Sequence, residues 1–206
     1  MSTGCLALVP LRSFENTKTR LSAVLDERGR SDLVKRLAVG VMVALTHWGG
    51  ELAVVSDDPA VAAWCSTRSV RVIGPGVTGL SASVDAARRT ASGEGYRHIA
   101  VVHADLMAPA ALGEVIAAAC EAGDRAVTAV PDRHGDGTNV LVVPTGAAFT
   151  FAYGPQSFPL HRGEAARAGL DFVVVDHDEL SWDVDTPDDL RRYVGADSHN
   201  ADSPSI

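Results

Sequence analysis

The sequence is short of most features that announce a function outright. Cysteine occurs only three times in 206 residues, at Cys5, Cys65 and Cys120, an odd number of thiols set far apart in apolar surroundings. No CxxC and no Cys/His pair has zinc-binding spacing, so a structural zinc site is excluded and reduced core thiols of a cytosolic protein are expected. No apolar run approaches the ~18 residues of a membrane span. Cys5-Leu6-Ala7-Leu8-Val9 is too short for a signal peptide and lacks a basic flank, so a cytoplasmic location is expected. Positive charge is in deficit: 18 Lys and Arg against 26 Asp and Glu leave a net −8. That argues against nucleic acid as a partner, although a local basic patch can still bind an anion. Also missing are the glycine fingerprints of P-loop and dinucleotide folds, HxH or HExxH pairs, a nucleophilic serine or cysteine elbow, and any internal repeat.

What is there centres on Tyr96–Pro109, YRHIAVVHADLMAP. Ile99 to Val102 form an almost continuous apolar run, as in a strand buried on both faces of a parallel sheet. Asp105 follows it, and Pro109 is read as opening a helix that ends on Gly123. A carboxylate just past the carboxyl end of a central strand lies where open α/β sheets bind ligands. Asp105 is therefore a metal ligand or the cap of the next helix.

Around this centre, apolar strand-length runs alternate with helical patterns. Strands are read at Leu6–Val9, Leu52–Val55, Val70–Ile73, Ala126–Val130, Asn139–Val143 and Phe172–Val175. Helices are read from a Ser31 cap to His47, from Pro59 through Cys65, from within Leu80–Val84 to Ser92, from Leu160 to Ala168, and from Pro187 behind a Thr186 cap. Residues 132–158 read as a hairpin-like excursion. The expected fold is a three-layer α/β/α sandwich with a mostly parallel central sheet and its ligand at the carboxyl edge. Residues 1–194 make one domain, and the polar, aperiodic 195–206 is expected to be a disordered tail.

Charged groups gather at three points. Leu11–Leu21, directly after the first strand, carries Arg12, Lys18 and Arg20, cations suited to nucleotide phosphates. Asp105 is the second point, and Asp183 with Asp185, just before a helix, the third. A hard cation such as Mg²⁺ commonly takes one or two carboxylates plus substrate phosphates. Together these groups suit phosphoryl or nucleotidyl transfer, which depends mostly on positioning and charge neutralisation.

The segments VPLRSFENTKTRLS (9–22), ADL (104–106), DGTNVLVV (136–143), YGPQSFPLH (153–161) and DVDTPDDL (183–190) span nearly the whole chain. In that order they resemble the 2-phospholactate/phosphoenolpyruvate guanylyltransferases of coenzyme F-420 biosynthesis, nucleotidyltransferases of the glycosyltransferase-A-like, nucleotide-diphospho-sugar-transferase type. The resemblance implies that GTP and a phosphorylated three-carbon acid react to give a guanosine diphospho-acid and pyrophosphate. It implies that Asp105, Asp183 and Asp185 hold Mg²⁺, with Asp185 favoured of the last two. It places Thr138, Gly154 and Ser157 around the acid, and Arg12, Lys18, Gly79 and Ser81 around the nucleotide. Lys18, Arg20 and Asp105 would act in the transfer itself. A downstream transferase and ligase of deazaflavin cofactor assembly would take the product. The sequence leaves open a homodimer and the choice among phosphoenolpyruvate, 2-phospholactate and 3-phosphoglycerate. Its Ala-, Val- and Arg-rich composition resembles an actinobacterial protein and favours phosphoenolpyruvate.

Two departures stand out. His103 precedes ADL where the family commonly has Ser or Gly, and Met107-Ala108 replaces Pro-Leu after it. Gly79-Leu80-Ser81 stands where the family has Gly-Leu-Asn, so a hydroxyl replaces an amide able to pair with guanine. The rival readings are a transferase of the same fold for another nucleotide or a sugar phosphate, a metallohydrolase built on His103, Asp105 and His177, and a non-catalytic nucleotide-binding protein.

Overall fold

Short apolar runs separated by capped amphipathic stretches have one economical arrangement, a sheet covered by helices on both faces. The computed structural model describes residues 4–201, with side chains as far as 195. Its strands are β1 (Cys5–Pro10), β2 (Glu51–Val55), β3 (Arg71–Ile73), β4 (His98–Val102), β5 (Ala126–Pro131), β6 (Thr138–Pro144) and β7 (Asp171–Val174). Its helices are α1 (Glu27–Trp48), α2 (Pro59–Ser66), α3 (Leu80–Gly93), α4 (Leu112–Glu121), α5 (Ser157–Arg167) and α6 (Pro187–Ala201), with a 3-10 turn at Thr19–Leu21. The seven strands form one sheet in the order β3-β2-β1-β4-β6-β5-β7.

Alternation along β1 shows the layers. Cys5, Ala7 and Val9 join a core with Val41 and Leu45 of α1, Val61 of α2 and Ile116 of α4. Leu6 and Leu8 join the opposite core with Val84 and Ala87 of α3 and Ala165 of α5. The three-layer α/β/α sandwich is therefore what the chain builds. Its cysteines are free thiols, Cys5 and Cys65 buried and Cys120 half-buried. No helix among the described residues is long and apolar enough to cross a membrane.

Three readings need correction. α1 starts at Glu27, capped by Asp26, whose carboxylate accepts the Gly29 N–H at 2.7 Å; Ser31 lies inside the helix. α4 starts at Leu112, and Pro109 belongs to the preceding turn, its carbonyl accepting the Leu112 N–H. Most consequential, Thr138–Pro144 forms the expected hairpin with β5 but is no excursion from the sheet. β6 lies inside the sheet, antiparallel to both β4 and β5, with all its residues buried. A tight turn after β5 returns the chain antiparallel, and the apolar run TNVLVVP is then covered on both faces. At the carboxyl end of the chain, α6 continues past 195 to Ala201, and the remainder of the expected tail, 202–206, lies outside the described residues.

Candidate active site

β1, β2 and β4 are parallel, so their carboxyl ends share one edge. Antiparallel β6 brings its amino end, Thr138, to that same edge: Val102 pairs with Val140, and the His103 N–H donates to Asn139 O at 3.0 Å. A parallel strand at this place would have carried Thr138 to the far side of the sheet.

The acidic residues meet through a short antiparallel bridge between Leu106 and Asp183. The Met107 N–H donates to Trp182 O at 2.8 Å and the Val184 N–H to Asp105 O at 3.1 Å. Carboxylate oxygens of Asp105, Asp183 and Asp185 thereby lie within 4.8 Å of one another. Buried Asn139 steadies the incoming segment by donating from Nδ2 to Leu180 O at 3.0 Å. The Thr186 cap and Pro187 start are as expected, and Asp189 completes a reciprocal box. Its Oδ2 accepts the N–H groups of Asp185 (3.2 Å) and Thr186 (2.8 Å), while Thr186 Oγ1 accepts the Asp189 N–H. This box holds the backbone beneath Asp185.

Asp105 is not a helix cap. Its Oδ2 receives Lys18 Nζ at 2.5 Å, and the same ammonium reaches Asp185 Oδ1 at 2.6 Å. Lys18 takes φ +47°, a left-handed conformation uncommon for a residue with a Cβ. Burial opposes the Lys18 charge, but Asp105 and Asp185 outweigh it and the ammonium pKa rises. Burial likewise opposes the Asp105 charge, and Lys18 followed by His103 reverses that, holding its carboxyl below the usual range. Asp183 is the exception: burial, then Asp105 and Asp185, push it up to about 6, even with Arg133 Nη1 at 3.6 Å.

The donor set fits a hard divalent cation. It consists of carboxylate oxygens alone, and Asp105 Oδ1 is buried with no hydrogen-bond partner. The raised Asp183 pKa gives a first test. Because its folded value, about 6, exceeds the ordinary 3.8, stability is lost as pH rises from about 4, where only the unfolded state gives up the proton, and the cost is full above about 6. In EDTA at neutral pH, Asp183→Asn is expected to stabilise the protein by up to ~3 kcal/mol, with the gain vanishing toward about pH 4. A melting-temperature difference independent of pH would show that Asp183 titrates normally.

Two neighbouring clefts share Pro10, Arg12 and Leu80 in their walls, one of them bordering Asp105. One, about 230 Å³, is lined by Arg12, Thr17, Lys18, Leu80, His103 and Asp105. The other, about 220 Å³, continues past Arg12 and Leu80 to Asp57, Gly79 and Ser83. Arg12 and Lys18 thus face the groove and Gly79 borders it, whereas Arg20 is exposed on the 3-10 turn and lines neither cleft. Ser81 also lines neither. Its Oγ accepts the Tyr153 N–H at 2.9 Å, tying the start of α3 to the 149–153 loop. Thr138 and Ser157 are brought together, Oγ to Oγ1 at 3.3 Å, and Gly154 O accepts the Ser157 N–H at 3.1 Å.

The His103–Asp105–His177 reading does not survive. His177 lies in a separate groove between α4 and β7, and the candidate metal-binding group found among the described residues is all-carboxylate. His103 does stand beside Asp105, buried, with Nε2 unpartnered and its pKa lowered chiefly by burial.

Arg133 is the residue the sequence did not single out. It sits in the β5–β6 turn with Nη2 3.0 Å from Asp189 Oδ1 and its guanidinium 4.5 Å from the Trp182 ring centre. One cation thereby braces both ends of the DVDTPDD segment. The only local sign was an arginine two residues past a strand end.

A parallel sheet interrupted by one antiparallel strand, with paired acidic segments and a cationic loop at its carboxyl edge, is the fold of the nucleotide-diphospho-sugar-transferase type of nucleotidyltransferase. A Desulfovibrio desulfuricans protein assigned to those transferases superposes with TM-score 0.77 at 17% identity, covering 98% of this chain and 96% of its own. A nucleotidyl transferase from Methanothermobacter gives 0.64 at 18%, covering 95% and 98%. The family model for "Guanylyl transferase CofC like" proteins matches residues 5–201. Phosphoenolpyruvate guanylyltransferase of Rubrobacter xylanophilus is 34% identical over 189 residues, 90% of this chain and 91% of the relative. The Sphaerobacter thermophilus enzyme of the same name is 32% identical over 193 residues, 92% of each. The chain belongs to the CofC-like guanylyl transferase family.

Proposed function

We propose that this enzyme transfers GMP from GTP to the phosphate of phosphoenolpyruvate, releasing pyrophosphate, as a cytoplasmic step in coenzyme F-420 assembly. The observation that carries the proposal is the Lys18–Asp105–Asp185 cluster one strand away from the Thr138–Ser157 pair, a cation site and an anion site sharing one edge. The names of the relatives support the choice of nucleotide and acid. A phosphate oxygen of the acid attacks the α-phosphorus of GTP in line, and the bond to the bridging oxygen of pyrophosphate breaks. The attacking phosphate oxygen is already ionised at neutral pH, so no general base is needed. Lys18 and Arg12 offset charge on the phosphate oxygens; Arg20, exposed on the 3-10 turn outside both clefts, adds positive charge at longer range. Mg²⁺ held by Asp105, Asp183 and Asp185 would add Lewis-acid charge stabilisation there. Thr138, Gly154 and Ser157 seat the acid. Gly79 borders the nucleotide groove, and Ser81 orders the loop between the two substrates. The product, a phosphoanhydride, passes to a transferase that acts on a deazaflavin precursor.

The test is pyrophosphate release with Mg²⁺, crossing GTP, ATP, CTP and UTP with phosphoenolpyruvate, 2-phospholactate and 3-phosphoglycerate. Release with GTP and phosphoenolpyruvate is expected. Turnover confined to another nucleotide, or silence across the panel, would overturn the proposal.

A further inference from the structure

The sequence gives His161 no role beyond its place in YGPQSFPLH, yet the structure buries it completely behind Thr138 and Ser157. His161 Nε2 accepts the Ala152 N–H at 3.0 Å, and Nδ1 lies 3.0 Å from Thr138 Oγ1. A backbone amide can only donate, so Nε2 carries no proton. Burial, reinforced by His103, holds the imidazole pKa down at about 4, so the ring is neutral at ordinary pH. Its single proton is then on Nδ1 and is donated to Thr138 Oγ1. The Tyr153 ring, edge-on at 4.8 Å, and Phe149 at 5.8 Å hold the imidazole in this orientation.

The consequence lies in the count of hydroxyl hydrogens. Thr138 and Ser157 have two between them, and their mutual contact at 3.3 Å uses one. With His161 donating, the second remains available to a ligand. With the opposite tautomer, Thr138 would donate to the ring, Ser157 would donate to Thr138, and the pair would present only lone pairs. An anion would then be repelled. We infer that His161 is a positioning residue: it relays the Ala152 amide to Thr138 and so makes the Thr138–Ser157 corner a donor to the anionic group of the acid. The inference rests on the proposed seating of the acid against these hydroxyls.

The direct measurement is the nitrogen-15 spectrum of His161 in protein labelled at histidine, with no substrate present. Protonated Nδ1 and bare Nε2 are expected, and an Nε2–H tautomer would overturn the inference even if every variant failed to fold. Kinetics give the second readout. His161→Asn retains an amide donor near the Nδ1 position, so its KM for phosphoenolpyruvate is expected to stay within about threefold of the parent. His161→Leu and His161→Gln lose that donor, and the same KM should rise about tenfold, the scale of one hydrogen bond, with KM for GTP unchanged. Equal KM increases in the Asn and Leu variants would also overturn it. An Nδ1–H protein that turns over no acid would count against guanylyl transfer alone, whereas Nε2–H with normal turnover would count against His161 alone.

Discussion

Asp105→Asn is expected to lower kcat by at least about a thousandfold, with fold and substrate clefts retained. One preorganised charge-stabilising group is commonly worth 10²–10³, and Asp105 serves two, as partner of Lys18 and as a carboxylate of the candidate cation site. The substitution also removes one of the two Lys18 ion pairs and should cost about 1–3 kcal/mol of stability in EDTA. Its diagnostic feature is the response to metal. Mg²⁺ should raise the melting temperature of the parent by mass action and barely move that of the variant. Near-normal turnover with Mg²⁺ would remove Asp105 from the cation site.

Lys18→Met is expected to be similarly inactive, falling about 10²–10⁴-fold, but to respond to metal in the opposite way. Without the ammonium, Asp105 and Asp185 lose the charge that lies 2.5 and 2.6 Å from them. Removing one member of a buried ion pair leaves the others uncompensated, typically at 3–5 kcal/mol when fully buried. Here Asp105 and Asp185 keep 26% and 40% side-chain exposure, so solvent screening brings the cost nearer about 1–3 kcal/mol. In EDTA the variant should melt well below the parent, and Mg²⁺ should recover more of that loss than it adds to the parent. Thermal melts of parent, Asp105→Asn and Lys18→Met, with and without Mg²⁺, separate the two roles. Identical metal responses in the two variants would contradict both.

Much of the site was legible because its chemistry lies in contiguous segments. The apolar run of β4 followed by Asp105, the cations after β1 and the DVDTP stretch each announce themselves locally, and the bridge between Leu106 and Asp183 unites the acidic pieces as the chemistry required. What stayed illegible has physical causes. The start of α1, ERGRSD, has no buried apolar side chain, so apolar periodicity begins only at Leu33. Pro109 satisfies the rule for a first helical residue but heads a turn that precedes α4. β6 reads as a strand, but the neighbours a strand chooses are settled by burial of the whole sheet and not by its own residues. Ser81 Oγ accepts the Tyr153 N–H across 72 residues of chain, a contact that no local pattern marks. Arg133 and His161 act through partners distant in sequence, Asp183 and Thr138 among them, and no local pattern marks such pairs.

The bridge between Leu106 and Asp183 also sets a timetable for synthesis. Lys18 and Asp185 are 167 residues apart in the chain, and closing so long a loop comes late because its entropy must be met before its contacts reward it. A growing polypeptide on the ribosome can pair β1 with β2 and β4 while Asp183 and Asp185 are still to be translated. Until they arrive, Asp105 is the only one of the three carboxylates at that edge, so the nascent chain cannot assemble the cation site. The carboxylate cluster therefore comes together only after residue 185 has been made, and a chain that stops before Asp183 lacks two of its three acids.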